Sequence, residues 1–170
     1  DDDAFGTIVD LCRPLKLSNF VPTLFRVAND LYTIGAEIPS PDYERSGGRT
    51  SIPDAVRRDL QARHGLGAWT VSGAFYGPSF AAMDAQIERV RAHFTQGPGV
   101  RYIPHEQALE NPPLKVAIDA FSGVPTSAEL GLLKWRPGGG NLWFTPGTPM
   151  SGPVARETHA LGRRIYAEFG

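Results

Sequence analysis

Apolar residues recur at helical spacing in several separate stretches of the chain. Phe5, Ile8, Val9 and Cys12 form the first stripe, opened by three aspartates at 1–3 that can cap a helix and closed by Pro14. Leu24, Val27, Ala28, Leu31 and Ile34 predict a second helix behind Pro22 and Thr23, with Gly35 as its stop. A third begins at Pro53 and Asp54, carries Val56 and Leu60, and ends at His64 ahead of Gly65 and Gly67. Phe80, Met83, Ile87, Val90 and Phe94 mark the apolar positions of a long helix that starts after the Gly77-Pro78 break. Residues 114–121 read as a short helix. Ser151, Gly152 and Pro153 launch a last one, whose stripe is Val154, Leu161, Ile165 and Phe169.

Alternation replaces the helical period in two places. Over residues 68–76, Trp69, Val71 and Phe75 share one side and Thr70, Ser72, Ala74 and Tyr76 the other. Over 141–145, Asn141, Trp143 and Thr145 face one way and Leu142 and Phe144 the other. Residues 100–103 read as a further short strand behind Gly97-Pro98-Gly99. Residues 15–21 read as irregular, 36–52 as a surface loop, and 104–113 as a loop with His105 exposed. Strand, crossover helix and strand make one split βαβ unit, and a second begins at 141. The fold class predicted is α+β, ferredoxin-like, with a mostly antiparallel sheet and helices on one face. The strand that would close the second unit is missing. That predicts one partial domain over 1–170, with an open sheet edge available to another chain or a homo-oligomer.

Composition narrows the class. The chain has 170 residues, 41% hydrophobic and 21% charged, which suits one soluble domain with its own core. A net charge of −1 supplies no general attraction to nucleic acid or membrane. No apolar run has the length of a membrane span, and the acidic start DDDAFG is not a signal peptide. A single cysteine, Cys12, excludes an internal disulfide and, on an apolar stripe, reads as a small buried thiol. That usage fits the cytoplasm and leaves the periplasm open.

No complete catalytic constellation stands in the sequence. It lacks GxxxxGK[ST], HExxH, CxxC and GxSxG, and the glycines at 138–140 do not have dinucleotide-fingerprint spacing. His64, His93, His105 and His159 are scattered without metal-ligand spacing, so no metal is expected. His64 sits where the helix dipole favours a positive charge and reads as part of a helix end. The strand at 141–145 admits two readings. Its apolar side is ordinary core. Its other side, an indole between an amide and a hydroxyl, also suits a ligand wall.

Five segments extend that second reading. NFVPTLFRVANDLYTIG, LGAWTVSGAFYGP, GPGVRYIP, SGVPTSAELGLLKW and GGGNLWFTP occur in that order. Together they resemble the cap domain of the vanillyl-alcohol oxidase / p-cresol methylhydroxylase family of FAD-linked oxidases, over almost the whole chain. The resemblance implies a separate FAD-binding domain, built from sequence on both sides of the cap and absent here. It implies hydride transfer from a 4-alkylphenol to FAD in the intact protein, with no catalytic residue on this chain. Asn141 matches the position where many relatives carry a flavin-linking histidine. An amide cannot form that link, so the resemblance implies FAD held without a covalent bond at Asn141. Trp143 matches a pocket aromatic, and Thr145, Tyr76 and Ser72 join it as candidate pocket residues. The alternative is a free-standing α+β module that binds a small aromatic ligand or a protein partner without redox chemistry. Flavin-domain sequence on both flanks, and a yellow intact protein, separate the two.

Overall fold

The computed structural model describes residues 2–35, 53–125, 127–128 and 147–169. Helices dominate, and two strands form one antiparallel sheet, so the α+β class holds. In chain order the elements are α1 (Asp2–Leu17), β1 (Leu24–Asn29), α2 (Asp30–Ile34), α3 (Asp54–His64), β2 (Trp69–Ala74), α4 (Phe80–Phe94), α5 (His105–Leu109), α6 (Pro112–Phe121) and α7 (Gly152–Phe169). They fall into two compact units.

The first unit comprises Asp1–Arg26, Val71–Pro104 and Gly147–Arg164. The stripe on α1 is half-buried at Phe5, Ile8 and Val9 and buried at Cys12 and, one turn on, at Leu15. Pro14 does not end the helix, contrary to expectation. A proline removes only the bond to the carbonyl four residues back, and the last turn closes without it. Both the amide and the hydroxyl of Ser18 donate to the Pro14 carbonyl, at 3.0 and 2.8 Å. The stop is Asn19, in the left-handed region at φ 57°. Asn19 N–H donates to Lys16 and Phe20 N–H to Leu15, the paired bonds of a Schellman turn.

Leu24–Asn29 is a strand where the apolar spacing predicts a helix. Its 3.6-residue pattern is genuine, but Phe25 and Val27 also suit a pleated surface, and pairing with β2 decides between them. Gly73 on β2 answers to that pairing. A Cβ there would lie 2.8 Å from the Leu24 carbonyl and 2.9 Å from the Pro22 ring. Phe25 stacks on Phe94 of α4 with ring centroids 6.3 Å apart.

The expected α4 stripe is buried only in part. Phe94 is covered, but Phe80 is 81% exposed and Ile87 is 38% exposed. Residues 100–103 are not a strand, so the second strand expected of the split βαβ unit is not formed there. Among the described residues the sheet contains β1 and β2 alone.

The start of α7 is held by α1. Gly152 N–H donates to Asp10 Oδ1 at 2.7 Å, which caps the helix from a distant part of the chain. The two backbones approach closely. A Cβ on Gly6 would lie 2.9 Å from the Gly152 carbonyl, and one on Gly152 would lie 2.7 Å from the Gly6 carbonyl. Further along α7, Leu161 and Ile165 are exposed rather than buried as their spacing predicts.

The second unit comprises Val27–Thr70, His105–Pro146 and Ile165–Gly170. In it α2 packs on α3 and α6, and α5 packs on α6. Asn29 caps α2 by accepting from Tyr32 N–H at 2.8 Å. The next residue, Asp30, is buried and gathers the neighbouring donors. Its carboxylate accepts from Leu31 N–H at 2.9 Å and from Gln61 Nε2 at 2.5 Å. Arg57 Nε lies 3.1 Å from the same group, as an ion pair without hydrogen-bond alignment. Asp30 N–H donates to the Ala68 carbonyl at 2.9 Å. One residue therefore joins α2, α3 and the approach to β2.

Gly65 at φ 60° and Gly123 at φ 72° end α3 and α6 with the same paired bonds seen at Asn19. Residues 105–109, expected to lie in a loop, form α5. His105 is exposed as expected.

Two substitutions test this packing. Asp30→Ala leaves the Gln61 amide without its acceptor and removes the buried partner of the Arg57 ion pair, and lowers unfolding free energy by about 2 kcal/mol in urea titration. A change below about 0.5 kcal/mol would deny Asp30 its central place. Gly6→Ala pushes a methyl into the Gly152 carbonyl and destabilises by about 1–3 kcal/mol, despite alanine's better helix propensity. An unchanged midpoint would show that α1 and α7 are not this close.

Candidate functional site

The candidate pocket residues divide between described and undescribed parts of the chain. Asn141, Trp143 and Thr145 lie outside the described residues. Ser72 and Tyr76 are described, in the first unit. Ser72 is half-buried within β2. The strand stops at Ala74, so Tyr76 stands beyond the pleat that the alternation assumed. Tyr76 is 53% exposed.

The local sequence explains this corner. Gly77, Pro78 and Ser79 separate β2 from α4, and Ser79 caps α4 by accepting from Ala82 N–H at 3.3 Å. Gly77 leaves room for Met83, whose Cγ would be 3.1 Å from a Cβ at that position. The helix then opens with Phe80, almost fully exposed. Two aromatic rings four residues apart thus stand open at the end of β2. The sequence placed Tyr76 on the strand as a candidate pocket residue and Phe80 on the apolar stripe of the next helix. The signal that could have flagged Phe80 is its place as the first residue of the helix, where the stripe has no preceding turn to pack on.

Chemistry outside this corner is sparse. No group of three or more His, Cys, Asp or Glu residues that could hold a metal is found among the described residues. No described helix is long and apolar enough to cross a membrane. Cys12 is 3% exposed, and burial pushes its thiol up to about 12 from 9.0. A thiol so raised is not a nucleophile near neutral pH.

No protein-family profile matches the chain. It is 33% identical over 171 aligned residues to the 4-cresol dehydrogenase [hydroxylating] flavoprotein subunit of Pseudomonas putida, an alignment that takes in 100% of this chain and 32% of that protein. A crystal structure of p-cresol methylhydroxylase with substrate bound superposes with a TM-score of 0.81 at 31% identity, covering 97% of this chain and 32% of the other. The chain is similar, in sequence and in fold, to the cap domain of the p-cresol methylhydroxylase flavoprotein. It spans about a third of the length of the proteins it matches, at 32% of each. The relatives are oxidoreductases and flavoproteins by name, and the resemblance read from the five ordered segments holds.

The Cys12 environment makes a checkable expectation. A thiol reagent at pH 8 leaves the native protein unlabelled and labels one cysteine in denaturant; rapid stoichiometric labelling of native protein would contradict the burial. Because the folded thiol is raised, its contribution to stability is present below 9.0 and is lost as pH rises toward about 12.

Proposed function

We propose that this chain is the substrate-pocket cap of an FAD-dependent oxidoreductase that acts on 4-alkylphenols. The observation that carries the reading is the end-to-end match in sequence and fold to a flavoprotein whose name states the oxidation of 4-cresol. In this reading an FAD-binding domain, on the same or another chain, lies against the cap. FAD, when bound, supplies the hydride acceptor.

The chain's own residues then orient the substrate and keep water out. Trp143 lays its indole on the phenol ring. Thr145 is the candidate hydroxyl beside it, and Ser72 and Tyr76 are the hydroxyl candidates that the first unit carries. Asn141 stands at the flavin edge and can hydrogen-bond there, but its amide forms no covalent link. Among the described residues, those that fit a lid are Tyr76 and Phe80. Both present open aromatic surface, at 53% and 81% exposure, of the kind a second body covers.

Protein expressed with both natural flanks should be yellow, and acid precipitation should leave the flavin in the supernatant. Colourless protein from such an expression would contradict the cap reading. Flavin that stays in the pellet would contradict only the role given to Asn141. In the same protein, Trp143→Ala raises KM for a 4-alkylphenol by about tenfold in steady-state kinetics. Unchanged KM and kcat would remove Trp143 from the pocket.

A further inference from the structure

A groove on the first unit has no part in the reading above. It runs between the C-terminal half of α1 and the C-terminal half of α4, with a volume of about 330 Å³. That lies at the small end of the range for small-molecule sites. Its apolar part is aliphatic: Leu15, only 5% exposed, with Pro14 and Ala92 beside it. Its polar part is Arg89, His93, Gln96 and Ser18.

The hydrogen bonds already made decide which of these groups can meet a ligand. Ser18 has its proton committed, since its hydroxyl donates to the Pro14 carbonyl at 2.8 Å. His93 Nε2 lies 2.8 Å from the Leu11 carbonyl. A carbonyl only accepts, so Nε2 carries the proton and the ring is tied to α1. Two further carbonyls at the end of α1 are satisfied locally: Leu15 by Phe20 N–H at 2.7 Å and Lys16 by Asn19 N–H at 3.1 Å. The guanidinium of Arg89 is engaged with an aromatic ring rather than with those carbonyls. Its Cζ lies 3.5 Å from the centre of the Phe20 ring, a cation–π contact. Its neighbour Glu88 is engaged elsewhere, with Arg91 at 2.8 Å. A cation–π contact uses none of the guanidinium's N–H donors as conventional hydrogen bonds, and their fork matches a carboxylate.

We propose that this groove is a binding site for a small aliphatic monocarboxylate. The Arg89 edge takes the carboxylate, the Gln96 amide supports it, and the short alkyl chain lies on Leu15, Pro14 and Ala92. The one aromatic ring that lines the groove, His93, is tied to α1, so the apolar floor offered to a ligand is aliphatic. An open groove with one charged anchor predicts weak binding, with Kd of about 1 mM.

The test is ligand-observed NMR of sodium valerate against the protein carrying its natural flanks, with sodium chloride at matched ionic strength as control. The proposal expects saturable binding of valerate, at least about tenfold weaker binding of the neutral isostere valeramide, and a loss of about tenfold or more in Arg89→Gln. Arg89→Lys keeps the charge but lacks the planar fork, and should bind more weakly than the wild type while showing an unchanged circular dichroism spectrum. Gln96→Ala gives a second, milder loss at a surface position. Non-saturating signals, equal binding of valeramide, or wild-type affinity in a folded Arg89→Gln protein would each overturn the assignment.

Discussion

The backbone pairing of β1 with β2 is the constraint on which most of the rest depends. It holds Leu24–Asn29 extended although the spacing of its apolar residues suits a helix. It brings Gly73 so near the Leu24 carbonyl that no side chain fits there. It ends in a bond from Asp30 N–H to the Ala68 carbonyl, at the residue where α2 begins. A strand pair buries backbone polar groups only if each finds its partner, so the ladder is favoured as a whole or not at all. The local helical preference of six residues is small beside that cooperative gain.

Helix ends and one buried acid carry the pairing outward. Asn19, Gly65 and Gly123 each turn left-handed and return two amides to the last turn, which finishes α1, α3 and α6 cleanly. Asp30, 6% exposed, collects an amide, a carboxamide and a guanidinium from around it. Burying a carboxylate is unfavourable unless its lone pairs are met, and here they are. At α7 the cap comes from Asp10, far away in the chain, because the close Gly6–Gly152 approach puts that carboxylate at the helix start.

The functional reading is similarly split between what is local and what is not. The five ordered segments carried the family resemblance without any coordinates, since family motifs are strings of residues. Ser72 and Tyr76 were legible as neighbours on one strand, yet β2 stops before Tyr76, and the open aromatic corner includes Phe80, which its spacing placed on the apolar stripe of the next helix. Periodicity says which residues share a face. It does not say whether another element covers that face. Phe80, Ile87, Leu161 and Ile165 lie on predicted apolar stripes and are all exposed. The Arg89 groove was illegible for the same reason: it joins two segments more than seventy positions apart.

What the amino-acid sequence alone determined is the set of features written in short windows: the α3, α4, α6 and α7 helices and the first turns of α1, the end of α3 at Gly65, the strand at Trp69–Ala74, the burial of Cys12 and the family likeness. Tertiary structure alone decided the rest. It made Leu24–Asn29 a strand, carried α1 past Pro14, left residues 100–103 outside the sheet, and capped α7 from Asp10. The physical reason is the range of the interaction. Caps, turns and propensities act within about one helical turn. Strand pairing, burial and helix contact depend on which distant segment arrives, and no local pattern encodes that.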